Sequence, residues 1–172
     1  MPFTPFHFGP GAALKAAIPK QFSFALFCFT QCVTDLESGY HLARGEYPVH
    51  RLFHTYAGAT VVGLCCAVAG RPVCKAGLSV WRAIPRAPFK ALIGDGAGIS
   101  WSSAFLTSMI STYSHVFLDS IMHGDLAPFS PFSVSNPFLH LISVQSLHLL
   151  CVTLGVIGTA ILLRRRNRRL DV

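Results

Sequence analysis

The stretch LLCVTLGVIGTAILL, residues 149–163, carries no charge and runs directly into RRRNRR, residues 164–169. With the residues just before it, the run 141–163 is long enough to cross roughly 30 Å of hydrocarbon as a helix. Arginines packed against one end of such a helix hold that end in the cytoplasm. The rest of the chain agrees: of 172 residues, 52% are hydrophobic and only 12% charged, too apolar a balance for an ordinary water-soluble domain. The expectation is a single membrane-embedded helical domain over 1–172 with a basic cytoplasmic tail at 164–172.

Working outward, three earlier apolar segments lie at 22–33, 55–70 and 99–118. Each is shorter or more polar than a free-standing span and needs neighbouring helices. Pro19, the stretch 71–88 and the cluster Pro128, Pro131 and Pro137 mark the breaks between them. The fold class is therefore all-α, an integral membrane bundle of about four helices. If the basic loop at 71–90 and the basic tail both lie inside, the second segment runs out-to-in, the third in-to-out and the fourth inward again. That topology brings Asp35, Glu37, His50, His54, His115 and Asp119 to one outer face as a His/Asp polar cluster. Gly58, Gly63, Gly155 and Gly158 supply small residues for close helix contacts.

The net charge of +7 does not indicate nucleic acid, because the positive residues are confined to the regions flanking apolar segments and no aromatic platform is interleaved with them. The six cysteines form no C-x-x-C pair, which excludes a zinc ribbon and gives no disulfide framework; they are expected as small core residues. The N-terminus MPFTPFHFGPG lacks the pattern of a cleaved signal peptide, so the chain is expected to start at Met1.

Three constellations carry chemistry. His50-Arg51-x-x-His54 places two imidazoles one turn apart if the segment is helical. In S-H-x-x-x-D-S-x-x-H-G-D, residues 114–125, His115, Asp119 and His123 follow at i+4 along one helical stripe, offering nitrogen and oxygen donors suited to zinc or a similar divalent ion. The plainer reading of its end is a helix leaving the membrane with His123 and Asp125 in water. Third, T-D-L-E closes an apolar segment with Asp35 and Glu37, carboxylates that can flank a metal and hold an activated water. His7 is a lone aromatic-flanked histidine. A hairpin of 11–18 against 22–33 would bring it toward Asp35, but would leave Lys15 and Lys20 either at depth or at a cytoplasmic tip. His41 reads as loop, and His140 and His148 as one face of the last helix.

The order M-P-F-T-P-F-H-F-G-P-G, T-D-L-E, H-R-x-x-H and S-H-x-x-x-D-S-x-x-H-G-D resembles, over nearly the whole chain, the membrane-bound metal-dependent hydrolases described as LexA-binding and inner-membrane-associated. Those are in turn distantly similar to zinc-dependent phospholipase C. The resemblance implies His7, Asp35, Glu37, His50, Arg51, His54, His115 and Asp119 as the functional polar set, in a bacterial inner membrane. This chain departs from the family in having one residue fewer between the histidines of H-R-x-x-H and Glu37 where many relatives have Asp.

The resulting expectation is a hydrolase whose His50, His54, His115 and Asp119 bind zinc or another divalent ion, with His7 and Asp35 as further ligands. Glu37 would act as general base and Arg51 would hold an anionic group of a lipid or other membrane-proximal phosphoester or ester. Two alternatives are a protein using His pairs as axial ligands to haem, and a non-catalytic one whose polar set knits helices together.

Overall fold

The computed structural model describes residues 5–83, 93 and 98–170, and every regular element among them is helical. A 3-10 turn (Pro5–His7) leads into α1 (Phe8–Ala17) and α2 (Phe24–Ala43). A second 3-10 turn (Leu52–His54) precedes α3 (Tyr56–Cys65), a π-helical segment (Cys66–Gly70) and α4 (Arg71–Ala83), which form one unbroken rod. Then come α5 (Trp101–Met122) and α6 (Val144–Leu170). The described residues thus form five rods where about four helices are expected, the addition being α1.

Local signals start the helices. The hydroxyls of Ser23, Thr55 and Ser100 each accept a backbone N–H of the first turn that follows, satisfying a donor with no partner inside the helix. The break expected at 71–88 does not begin at Arg71. Pro72 would clash with the carbonyl four residues back in an α-helix, and the wider π turn just before it lets the rod continue. The later part of that basic stretch, 84–90, lies outside the described residues, as does the expected start at Met1. The proline cluster 128–137 is non-helical, as its composition requires. His140 follows that cluster, in a turn ahead of α6 rather than on it, whereas His41 sits in the last turn of α2 and not in a loop.

Two rods, Tyr56–Trp81 and Val144–Arg168, are long and apolar enough to cross a membrane. The window on α6 is only 22% buried, and most of its leucines and valines point away from the protein, Leu147 and Leu162 excepted. Cys32 and Cys65 likewise face outward and are not core residues, unlike Cys66, Cys74 and Cys151.

The helices pack as two units. α1 lies along α6, with Gly9, Gly155 and Gly158 at the crossing. α2, α3 and α5 form the other, and Gly63 of α3 abuts Met109 and Thr112 of α5. The turn between α1 and α2 reverses the chain, and Lys15 secures it by donating to the carbonyls of Pro19 (2.7 Å) and Phe22 (2.8 Å). Arg165 donates to the carbonyl of Ala16 at the same end. The start of α1, the later half of α2, the start of α3 and the end of α5 meet at the opposite end, where the His/Asp residues collect.

Candidate metal centre

Asp35 comes from α2, His54 from the turn before α3, and His115 and Asp119 from consecutive turns of α5. All four are buried, and one donor atom of each lies within 4.8 Å of the others. His115 Nε2 is 3.1 Å from Asp119 Oδ2 and 3.3 Å from Asp35 Oδ1, and His54 Nε2 is 3.6 Å and 3.9 Å from the same two oxygens. Around a tetrahedral ion with bonds near 2.0–2.1 Å, ligand atoms stand about 3.3 Å apart, so these separations fit a divalent metal. The Nε2 atoms of His54 and His115 are buried and have no hydrogen-bond partner. Orphaned buried lone pairs converging on two carboxylates are what a cation would complete.

The other ring nitrogens are occupied, and this selects the tautomers. His115 Nδ1 makes a short hydrogen bond to Gln31 Oε1, and the Gln31 amide donates in turn to the Ser111 carbonyl at 3.1 Å. His54 Nδ1 is 3.4 Å from Glu37 Oε2, which also accepts the backbone N–H groups of Phe53 (2.8 Å) and Arg51 (3.2 Å). With Nδ1–H donated to an acceptor, each imidazole presents its Nε2 lone pair inward, the arrangement in which outer partners fix metal ligands.

Two expected roles meet a different geometry. Residues two apart on a helix do not face the same way, so Glu37 cannot join Asp35 at one ion and instead stands behind His54. It is placed to orient the imidazole. The Arg51 guanidinium turns away from the cluster, with Nε donating to the Pro48 carbonyl at 2.9 Å and a terminal nitrogen 3.3 Å from Glu46. Arg51 therefore reaches the site only through its backbone N–H to Glu37.

His50 and His54 do not share a helical face. His50 lies outside any helix and His54 ends a single 3-10 turn, yet their rings stand 4.8 Å apart, edge to face. His50 Nδ1 lies 2.9 and 3.0 Å from the two oxygens of Asp125, which also accepts the N–H groups of Val49 and His50. Burial lowers the pKa of His50, and His54 nearby adds to this. Burial alone would raise the Asp125 carboxyl, but its bonds from His50 hold it below the usual range. α5 ends at Met122, so the i+4 stripe stops at Asp119; His123 caps the helix in extended conformation, with Nε2 3.9 Å from Asp119 Oδ1.

His7 is carried in by the α1–α2 reversal, with Nε2 3.3 Å from Asp119 Oδ1 and its ring edge-on to His115. Neither of its nitrogens has a hydrogen-bond partner, and burial pushes its pKa down to about 4, so it is neutral at physiological pH. His148 takes no part, stacking instead on Phe6. Gln31 was not expected at the site. Its signal is the i, i+4 spacing to Asp35, which puts both on one face of α2.

Comparison of the chain with models of protein families, with curated proteins and with solved structures finds no match. The likeness to the membrane hydrolases rests on the sequence motifs alone.

Proposed function

We propose that this chain is a membrane-embedded, metal-dependent hydrolase acting on a phosphoester or ester at the membrane surface. The observation that carries the reading is the pair of buried, unpartnered Nε2 atoms of His54 and His115 directed at Asp35 and Asp119. A divalent ion held there, zinc being the metal this donor set suits, supplies Lewis-acid chemistry: it acidifies water toward neutrality and polarises a phosphoryl or acyl oxygen. Asp35 and Asp119 hold the positive charge, Gln31 and Glu37 keep the imidazoles in the ligating tautomer, and the packed helices restrict access of bulk water.

A membrane setting is supported by the outward aliphatics of α6, where Leu149 is 68% and Val156 63% exposed, and by the second apolar rod through α3 and α4. A row of that kind has no place in water on a monomer. The basic residues Lys15, Arg71 and Arg165 belong to the end away from the cluster, which by the charge rule is the cytoplasmic one of a bacterial inner membrane. The site then faces the outer surface of that membrane, and lipid headgroups are the nearest phosphoesters. Haem fits poorly, since the His54 and His115 rings are 5.2 Å apart with carboxylates between them, leaving no room for a macrocycle.

The test is elemental analysis of detergent-purified protein, followed by assay of the metal-loaded form on phosphoester and ester lipids. Metal near stoichiometry and turnover, both lost in folded His54→Ala, are expected. A folded wild type that neither binds divalent ions nor hydrolyses any such lipid would leave the polar set with a helix-knitting role instead.

A further inference from the structure

Asp119 is approached on both of its oxygens. Oδ2 faces His54 and His115, whereas Oδ1 faces His7 Nε2 at 3.3 Å and His123 Nε2 at 3.9 Å. These two separations again match neighbouring ligands on one ion. His7 is 3% exposed and has neither nitrogen hydrogen-bonded, an arrangement that leaves a buried polar ring unsatisfied unless something binds it. The His50 ring packs 4.2 Å from that of His123, and donor atoms of His50, His123 and Asp125 lie within 4.8 Å of one another. Asp125 grips His50 Nδ1 as Glu37 grips His54 and Gln31 grips His115, so three histidines have Nδ1 committed outward.

We infer that the centre holds two divalent ions, with Asp119 bridging them. The first sits among Asp35, His54, His115 and Asp119 Oδ2; the second is bound by His7, His123 and Asp119 Oδ1, with His50 on its Asp125 side. This extends the single-ion reading above and rests on it. Ions sharing a carboxylate stand about 3.5–4 Å apart, the spacing that clamps the attacking and leaving oxygens of an in-line displacement at phosphorus. His123, with 19% of its side chain exposed, makes the second position the more open one and the natural entry for substrate.

The full chain, purified in detergent, stripped by chelator and reloaded with Zn²⁺ or Mn²⁺, gives two readouts that need no turnover: ions per chain by elemental analysis, and spin coupling in the electron paramagnetic resonance of the Mn²⁺ form. Two ions per wild-type chain and a coupled-pair spectrum are expected. His123→Ala and His7→Ala, checked for folding by thermal melting, are expected to fall to one ion with an isolated-ion spectrum. One ion per wild-type chain, lost in His54→Ala, untouched by His123→Ala and showing no coupling, overturns the second position and leaves the first standing. A wild type that binds no ion overturns both. The wild-type stoichiometry and spectrum decide the matter even if a variant fails to fold.

Discussion

The α1–α6 contact and the α2–α3–α5 contact both bring backbones close, and by opposite means. At α1–α6 the means is absence of side chain: a Cβ on Gly9 would lie 1.9 Å from the Cys151 carbonyl oxygen, and one on Gly158 2.5 Å from the Ala12 backbone. At α2–α5 the means is hydrogen bonding, with Ser111 donating to the Phe27 carbonyl at 2.9 Å and Thr107 accepting from Ser23 N–H at 3.1 Å. In lipid, where apolar burial does not drive helices together, close van der Waals fit and polar bonds are the two means left. The first gives an inert seam. The second tolerates buried ionisable groups, and the candidate metal centre lies in continuation of it.

The largest effect that separates the two regions is expected from Asp119→Ala. It removes the carboxylate shared by His7, His54, His115 and His123, so metal binding should be abolished. Breaking a buried charge cluster should also cost about 3 to 5 kcal/mol of stability. Gly158→Leu makes the converse change. It should destabilise by about 3 kcal/mol, toward the upper end for overpacking because the clash is with backbone, while every molecule that remains folded keeps its full metal content. Thermal melting and elemental analysis of both variants check this. Loss of metal from folded Gly158→Leu would mean that the seam also positions the site.

The seam and the site were legible to different degrees. The run LLCVTLGVIGTAILL and its arginines declare α6 by composition alone, and Gly155 and Gly158 stand out within it. Gly9 and Gly11 of α1 do not, because their partners, Cys151 and Phe27, are distant in sequence. Among the site residues, Asp35, His115 and Asp119 are conspicuous as ionisable groups in apolar helices. The His50 to His54 spacing misleads, because Thr55 starts the next helix and leaves both histidines ahead of it. Gln31 is one of several polar residues in its helix, and its spacing to Asp35 does not say that its amide will meet His115 across 84 positions of sequence.

Acid should strain the site and spare the seam. His7 titrates near 6.5 when unfolded and near 4 when folded, so the unfolded chain binds the extra proton between those values. Stability present above about pH 6.5 is therefore lost progressively as pH falls toward 4, by about 3 kcal/mol for this one group. Chelator-treated wild type should lose more stability over that window than chelator-treated His7→Gln. Parallel curves would show that His7 is not held neutral by burial.

The smallest expected effect is also the sharpest. Glu37→Gln keeps an acceptor oxygen for His54 Nδ1 and for the N–H groups of Arg51 and Phe53, and removes only the charge. If Glu37 orients His54, the substitution makes the imidazole a weaker donor without turning it, and metal affinity should fall by about 10- to 100-fold, the usual cost of disturbing an outer partner of a metal ligand. Turnover of metal-saturated protein should then change little. A general base would give the reverse pattern, with affinity kept and turnover collapsing at saturating metal. Competition titration against a chelator of known affinity, paired with assay at saturating metal, separates the two. The same substitution bears on the comparison between the regions, since only at a polar interface can an isosteric change of one charge alter function while the helices stay where they are.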